Sequence, residues 1–117
     1  MSYMLLIVEP TDQRAERTPE AGLAAYQSML DFGAELRARG VLQSSQSLTS
    51  QASGARVQVR GGTLNRIDGP FAEAKEMVGG FFLLDCATLD EAVAIAAECP
   101  AAAWCTVEVR QLGPCFD

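Results

Sequence analysis

The stretch best suited to chemistry runs from Asp68 to Glu76 and reads DGPFAEAKE. A turn-forming tripeptide precedes an aromatic residue, and charges of alternating sign follow at Glu73, Lys75 and Glu76. A charged loop that leads into a core strand is a common place for a ligand site. The alternative is a simple chain reversal followed by solvated charges, because a short motif without structural context is a weak signal.

If this stretch is a site, Asp68 or Glu73 is the expected acid or base, and Lys75 the group that stabilises negative charge. In an extended loop Glu73 and Lys75 would point to the same side, since alternate side chains share a side. The plainer alternative is that both charges bridge neighbours and hold the loop. The candidates for contact with a substrate are Tyr26, Arg66, Phe71, Glu108 and Arg110.

The chain contains no histidine. That absence excludes Ser-His and Cys-His nucleophiles and a histidine base, so acid–base chemistry would fall to Asp, Glu, Lys, Tyr or Cys. No two of the four cysteines have CxxC spacing, and we therefore predict no metal site and no cofactor. Cys86, Cys99 and Cys105 are expected to be small buried hydrophobes, and Cys115 an exposed thiol.

Length and charge limit the classes of protein. A chain of 117 residues predicts one domain over residues 1–117. The net charge of −6 argues against nucleic acid or an anionic membrane as a partner. No apolar run approaches the ~18 residues of a spanning helix, and the first residues lack the basic and small-residue features of a signal peptide. We expect a cytoplasmic protein.

The first half of the chain predicts a strand, a helix and a second strand. Tyr3 to Glu9 is apolar at both parities, which is typical of a strand covered on both faces. Polar residues 10–17 predict a loop. Thr18-Pro19-Glu20 then begins a helix that runs to about Arg39, where Gly40 ends it.

The second half predicts a hairpin, two further strands and a helix. Gly61-Gly62 joins the hairpin, whose Arg56, Arg60 and Arg66 are either solvated or form an arm that faces an anion. Thr88 and Glu91 form a capping box for a helix that ends at Pro100. The strands are predicted at Val41–Leu48 (an edge), Val57–Arg60, Thr63–Ile67, Met77–Asp85 (with a bulge or close approach at Gly79-Gly80) and Trp104–Leu112.

The last strand has two different faces. Trp104, Thr106, Glu108 and Arg110 form its half-polar face, and Glu108 and Arg110 either pair with each other or line a pocket. The element order β-α-β, hairpin, β-α-β predicts an α+β, ferredoxin-like βαββαβ fold with an inserted β-hairpin. Two helices cover only one face of such a sheet, yet two of its strands are apolar on both faces. The second face would be buried by another copy of the chain, which predicts a homodimer.

The run from Asp68 to Phe81 resembles the signature of DGPF-domain proteins, within the YCII-related superfamily. The runs Met4–Ile7, Leu36–Leu42, Leu89–Ala92 and Val107–Arg110 also lie where that family has similar residues, and Ala74 departs from its usual threonine. The resemblance implies a dimeric α/β-barrel. Relatives with proposed enzymatic roles are thought to use a His–Asp pair, which this chain cannot form.

The resemblance also implies a bacterial protein and association with extracytoplasmic-function sigma factors. We therefore expect a small-molecule-binding regulatory or accessory module linked to signalling or stress response. The alternative is a small-molecule enzyme with lyase- or isomerase-like acid–base chemistry, which would use a carboxylate and Lys75 in a cleft between sheet and helices.

Overall fold

The computed structural model describes residues 1–116, which contain three helices and six strands. The helices are α1 (Gln13–Glu16), α2 (Pro19–Ala38) and α3 (Leu89–Glu98). The strands are β1 (Ser2–Pro10), β2 (Leu42–Ser47), β3 (Ala55–Arg60), β4 (Thr63–Asp68), β5 (Glu76–Asp85) and β6 (Thr106–Gln111). Short 3-10 turns lie at Gln51–Ser53 and Pro100–Ala103.

Four strands form the main sheet in the order β2-β5-β1-β6, and all neighbours are antiparallel. This confirms the predicted α+β class, and the strand order is consistent with a ferredoxin-like fold. Strands β3 and β4 pair only with each other as a two-stranded sheet. Gly61 and Gly62 join them with φ of 58° and 78°, the left-handed backbone that a tight two-residue turn requires.

The core lies between the sheet and the helices. Along β1, Tyr3, Leu5 and Ile7 are buried, while the side chains between them are only half-buried. Phe32 of α2 packs edge-to-face on Phe82 of β5 with ring centroids 5.2 Å apart. Burial of one such side chain stabilises the fold by roughly 1.5–3 kcal/mol, so this layer holds the helices on one face of the sheet.

The two long helices begin as their sequences predict. The hydroxyl of Thr18 accepts a hydrogen bond from the Ala21 amide at 3.2 Å, and that of Thr88 accepts one from the Glu91 amide at 3.2 Å. The Glu91 carboxylate reaches back to the Ala87 amide at 2.9 Å. The two threonine contacts satisfy amides that the first helical turn leaves free.

Two boundary predictions were wrong. Residues 10–17 are not simply a loop, because Gln13–Glu16 forms α1. The last strand begins at Thr106 and not at Trp104, because Pro100 starts a 3-10 turn in which the Trp104 amide donates to the Ala101 carbonyl at 3.0 Å. Trp104 therefore precedes the strand and does not share the half-polar face of β6.

Helix α2 packs on the sheet only through its second half. Its buried residues are Phe32, Gly33 and Leu36. Leu23, Tyr26 and Leu30, which the sequence places on the same apolar stripe, are 70%, 50% and 48% exposed. The part of α2 that precedes Phe32 thus leaves an open space beside the sheet, where the functional candidate lies. No helix within residues 1–116 is long and apolar enough to cross a membrane.

Candidate functional site

A cleft of about 660 Å³ separates α2 from the sheet. One wall is α2, the floor is the sheet, and α1 and the turn that carries Trp104 lie together at one end. A cleft of this size, with apolar walls and a few polar groups, is the usual form of a small-molecule site. Its apolar and aromatic lining includes Ile7, Tyr26, Met29, Leu30, Phe82 and Trp104.

The floor of the cleft carries a buried carboxylate. Glu9 continues the inward parity of Tyr3, Leu5 and Ile7 on β1 and is 5% exposed. Among residues 1–116 it is the only charged side chain in the buried class. A charge at such depth is strongly unfavourable unless a partner compensates it.

Arg14 of α1 is that partner. Its Nη2 lies 2.6 Å from Glu9 Oε1, and its Nη1 donates to the Leu48 carbonyl at 2.9 Å. Nη2 also donates a long hydrogen bond to the Gly79 carbonyl at 3.5 Å. The 2.6 Å contact is a close ion pair, and Glu9 Oε1 has no other partner among the described residues. Arg14 therefore compensates the buried charge of Glu9.

Gly79 leaves the space that the ion pair occupies. The pairing of β1 with β5 shifts register between Ile7 and Val8 and skips Gly79, which agrees with the predicted bulge and close approach. A Cβ at Gly79 would lie 2.6 Å from Glu9 Oε1 and 2.8 Å from Arg14 Nη2. A residue without a side chain is therefore needed here for the ion pair to keep its position.

A second arginine lies at the same end of the cleft. The Arg17 guanidinium carbon lies 5.6 Å from the centroid of the Trp104 ring, within the range of a cation–π contact. Its Nη2 makes only a long hydrogen bond of 3.4 Å to Gln13 Oε1. Gln13 also donates to the Trp104 carbonyl at 2.7 Å, which ties α1 to the turn. Arg17 thus faces the cleft with most of its donors free.

The nearby thiols are not activated. Burial, and then the charge of Glu9, raises the pKa of Cys105 to about 11, and burial raises the pKa of Cys99. Nucleophilic cysteines need the thiolate, and therefore a lowered pKa. The cleft offers a carboxylate and arginines for binding and proton transfer, and no thiolate nucleophile.

The predicted catalytic candidates lie outside the cleft. Asp68 pairs with Arg66 at 2.8 Å, and both side chains are exposed. Glu73 and Lys75 are exposed and belong to the lining of neither the cleft nor the smaller pocket near Phe71. The backbone of their loop is anchored by Thr11, whose amide donates to the Lys75 carbonyl at 3.0 Å. A catalytic role for Asp68, Glu73 and Lys75 stays a prediction, and the geometry gives them no shared pocket within residues 1–116.

The predicted binding candidates are dispersed. Tyr26 lines the cleft. Phe71 lines the smaller pocket, of about 510 Å³, with the Arg56 guanidinium 4.2 Å from its ring centroid. Glu108 and Arg110 pair with each other at 3.3 Å on the face of β6 that points away from the helices. Of these candidates, only Tyr26 lines the same cleft as the Glu9–Arg14 pair.

Glu9, Arg14 and Trp104 were not predicted as site residues. The sequence does contain a signal for Glu9, because it extends the two-residue spacing of Tyr3, Leu5 and Ile7 and so places a carboxylate on the buried parity. Arg14 and Trp104 carry no comparable signal, since the tertiary packing of α1 and of the 3-10 turn brings them to the cleft.

Fold and site together define a class: an α+β protein with a ligand-sized cleft between one helix and an antiparallel sheet, and a buried carboxylate at its floor. Comparison with known families gives the family itself. The family model of the YCII-related domain matches residues 1–115, and the chain belongs to this family. The family resemblance seen in the sequence is thereby confirmed.

One curated relative shares a short segment. An uncharacterized protein of Rhizobium meliloti (strain 1021) is 67% identical over 27 residues, which cover 23% of this chain and 22% of the relative's length. The relative's own description assigns it no activity.

Proposed function

We propose that this protein is a small-molecule-binding module whose ligand lies in the cleft between α2 and the sheet. The observation that carries the proposal is the cleft itself, of about 660 Å³, with apolar walls and the Glu9–Arg14 ion pair at its floor. A cavity of ligand size that combines apolar walls with a few placed polar groups is the usual form of a small-molecule site.

A neutral apolar dye tests the cleft directly. Phenylnaphthylamine fluoresces when it enters an apolar site, and the wild-type protein is expected to bind it with saturation. Ala25→Phe fills the cleft from the α2 wall and should weaken binding at least about tenfold, which corresponds to ~1.4 kcal/mol. Ala34→Phe, further along the same wall, is a second variant in case the first fails to fold.

Ala24→Phe is the matched control, because Ala24 is the exposed neighbour of Ala25 on the same helix and does not line the cleft. Equal dye binding by the Ala24 and Ala25 variants, with both folded by circular dichroism, would place the dye elsewhere and reject the proposal. A metabolite screen by thermal shift would then identify natural ligands, since a ligand at ~100 times its Kd adds ~2.7 kcal/mol of stability.

The same cleft supports a second candidate, an enzyme with acid–base chemistry. The observation that favours it is the buried carboxylate of Glu9, in the role that the sequence had assigned to Asp68 or Glu73. Mass spectrometry can monitor the conversion of a cleft ligand to product. Glu9→Gln should abolish this conversion while the variant still binds the ligand. Full conversion by Glu9→Gln would reject Glu9 as the base.

The setting we propose is a regulatory or accessory role in bacterial signalling or stress response, in the cytoplasm, with a sigma factor as a partner. The support is the family resemblance of the Asp68–Phe81 run and the ligand-sized cleft. Co-purification of the protein with an extracytoplasmic-function sigma factor, lost on addition of a cleft ligand, is the expected result. Failure of purified protein and purified sigma factor to associate with or without ligand would reject this partner.

A further inference from the structure

We infer that the cleft selects an organic anion with an apolar body, and that Arg17 holds its negative group. This inference rests on the proposed binding function and adds the chemical class of the ligand.

The first observation is the charge of the cleft. Three arginines line it, Arg14, Arg17 and Arg37, and Glu9 is the only acid in the lining within residues 1–116. Three positive charges against one negative charge give the lining +2, while the whole chain carries −6. A locally positive cleft in an acidic chain attracts anions and disfavours cations.

The second observation separates the arginines by what they already bind. Arg14 is occupied by Glu9 and by the carbonyls of Leu48 and Gly79. Arg17 has no carboxylate within 4.0 Å among residues 1–116, and its one side-chain hydrogen bond is the 3.4 Å contact with Gln13. Guanidinium carries five N–H donors, so most of those of Arg17 are available to a ligand.

The third observation is that the Arg17 side chain is held in position by its surroundings and is not fully exposed to solvent. It is partly buried and lies over the Trp104 ring, whereas Arg37 is exposed near the other end of α2. A guanidinium partly withdrawn from water pairs more strongly with an anion than an exposed one. Arg17 is therefore the residue we assign to the negative group.

The rest of the cleft fits the remainder of such a ligand. Tyr26, Met29, Leu30 and Phe82 provide an apolar wall and floor next to Trp104. The predicted ligand therefore has an apolar or aromatic body and one anionic group.

Two dyes with the same skeleton test the anion requirement. Anilinonaphthalenesulfonate is phenylnaphthylamine with one sulfonate added, and only binding that Ala25→Phe removes is counted. Arg17→Gln should weaken binding of the sulfonate dye about tenfold, the size of one charge-assisted hydrogen bond. It should change the affinity for the neutral dye by less than about twofold. Salt raised from about 0.05 M to about 0.5 M should weaken only the sulfonate.

Arg60→Gln is the charge-matched control, because Arg60 lies on the exposed hairpin and outside the cleft. It should change neither dye. The assignment to Arg17 would be overturned if Arg17→Gln weakened binding of both dyes equally or changed binding of neither. It would also be overturned if Arg37→Gln lost sulfonate binding while Arg17→Gln kept it. Neutral dye that still binds in the cleft would leave the proposed function standing in each case, whereas binding of neither dye there would reject the proposed function itself.

Discussion

Glu9 is a carboxylate on a strand face that is otherwise apolar, and its position depends on three separate parts of the chain. Arg14 from α1 supplies the positive charge, and Gly79 from β5 supplies the room. Removal of one partner from a buried ion pair typically costs about 3–5 kcal/mol, because the other charge is left buried without compensation. The site is therefore a coupled unit, and a change at any of the three positions should affect the other two.

Gly79→Ala tests this coupling. Its Cβ would lie within 3.0 Å of three side-chain atoms of Glu9 and Arg14, so the pair must move apart. We expect the free energy of unfolding in urea to fall by about 1–3 kcal/mol, the range of an overpacked site, and dye binding in the cleft to weaken.

Gly113→Ala is the control, since a Cβ there meets no atom within 4 Å. The same loss of stability in both variants would show that the effect belongs to glycine in general and would contradict the coupling.

Cys105, which is half-buried, predicts a loss of stability at high pH. The folded pKa of Cys105, about 11, lies above its ordinary value of 9.0, mainly because of burial. A raised folded pKa means that the stabilising contribution is complete below about 9 and is lost as the pH rises towards 11. The unfolding free energy of the wild type should therefore fall more between about pH 9 and about pH 11 than that of Cys105→Ala.

The comparison uses urea unfolding of both proteins at each pH, because all other titrating groups are shared. Equal losses in the two proteins would show that Cys105 does not contribute. Burial also raises the pKa of Cys99, but Cys99 is present in both proteins, so its contribution cancels in the comparison.

At the residue level, the sequence predicted which residues form helix caps and turns better than it predicted which distant residues contact each other. The capping threonines and the glycines of the hairpin turn act through neighbours a few residues away, and their roles were predictable. Glu9 and Gly79 are 70 positions apart in the chain, and no local pattern reveals that they meet. The chemical stretch at Asp68–Glu76 was conspicuous in composition, yet the structure places its charges on the surface, since periodicity and composition do not report which cleft a loop faces.

At the scale of elements, α2 determines where the cleft lies. From Phe32 onward it is buried through Phe32 and Leu36, while Tyr26 and Leu30 before that point are about half exposed. The sequence predicted the helix and its apolar stripe. It could not predict that only half of the stripe meets the sheet, because that depends on how far the neighbouring strands extend.

Glycines at the two ends of α2 give an opposite pair of stability effects. Gly22 lies inside the helix, and a Cβ added there would meet no atom within 4 Å, so Gly22→Ala should raise the unfolding free energy by about 0.5–1 kcal/mol. Gly40 follows the helix with φ of 75°, and Gly40→Ala should lower it by about 1–2 kcal/mol. Thermal and urea unfolding measure both, and a destabilising Gly22→Ala would mean that another element packs closely against α2 at this position.

At the scale of the whole molecule, the shape is a flat plate. The extents are 46 × 42 × 18 Å and the radius of gyration is 16.0 Å, against about 13 Å for a compact domain of this length. One helical layer on one sheet accounts for the thickness of 18 Å, and the projecting hairpin accounts for part of the breadth. The second face of the sheet therefore has no covering layer within residues 1–116.

That second face is apolar at its centre. Met4 and Leu6 of β1 lie beside Leu83 and Phe81 of β5 in the paired register, on the side away from the buried core residues. Exposed apolar patches larger than a few hundred Å² usually mark interfaces. These residues support the homodimer proposed from the sequence, with two sheets packed face to face.

The dimer predicts a mass of about twice 12.5 kDa in sedimentation equilibrium at micromolar concentration. Leu6→Glu places a charge at the centre of the apolar face and should give a folded monomer, because burial of an unpaired charge at an interface is strongly unfavourable. Leu23→Glu is the matched control on the outer side of α2, where Leu23 is 70% exposed, and should remain dimeric. A wild-type monomer at these concentrations would reject the dimer, and a Leu6→Glu dimer would move the interface away from this face of the sheet.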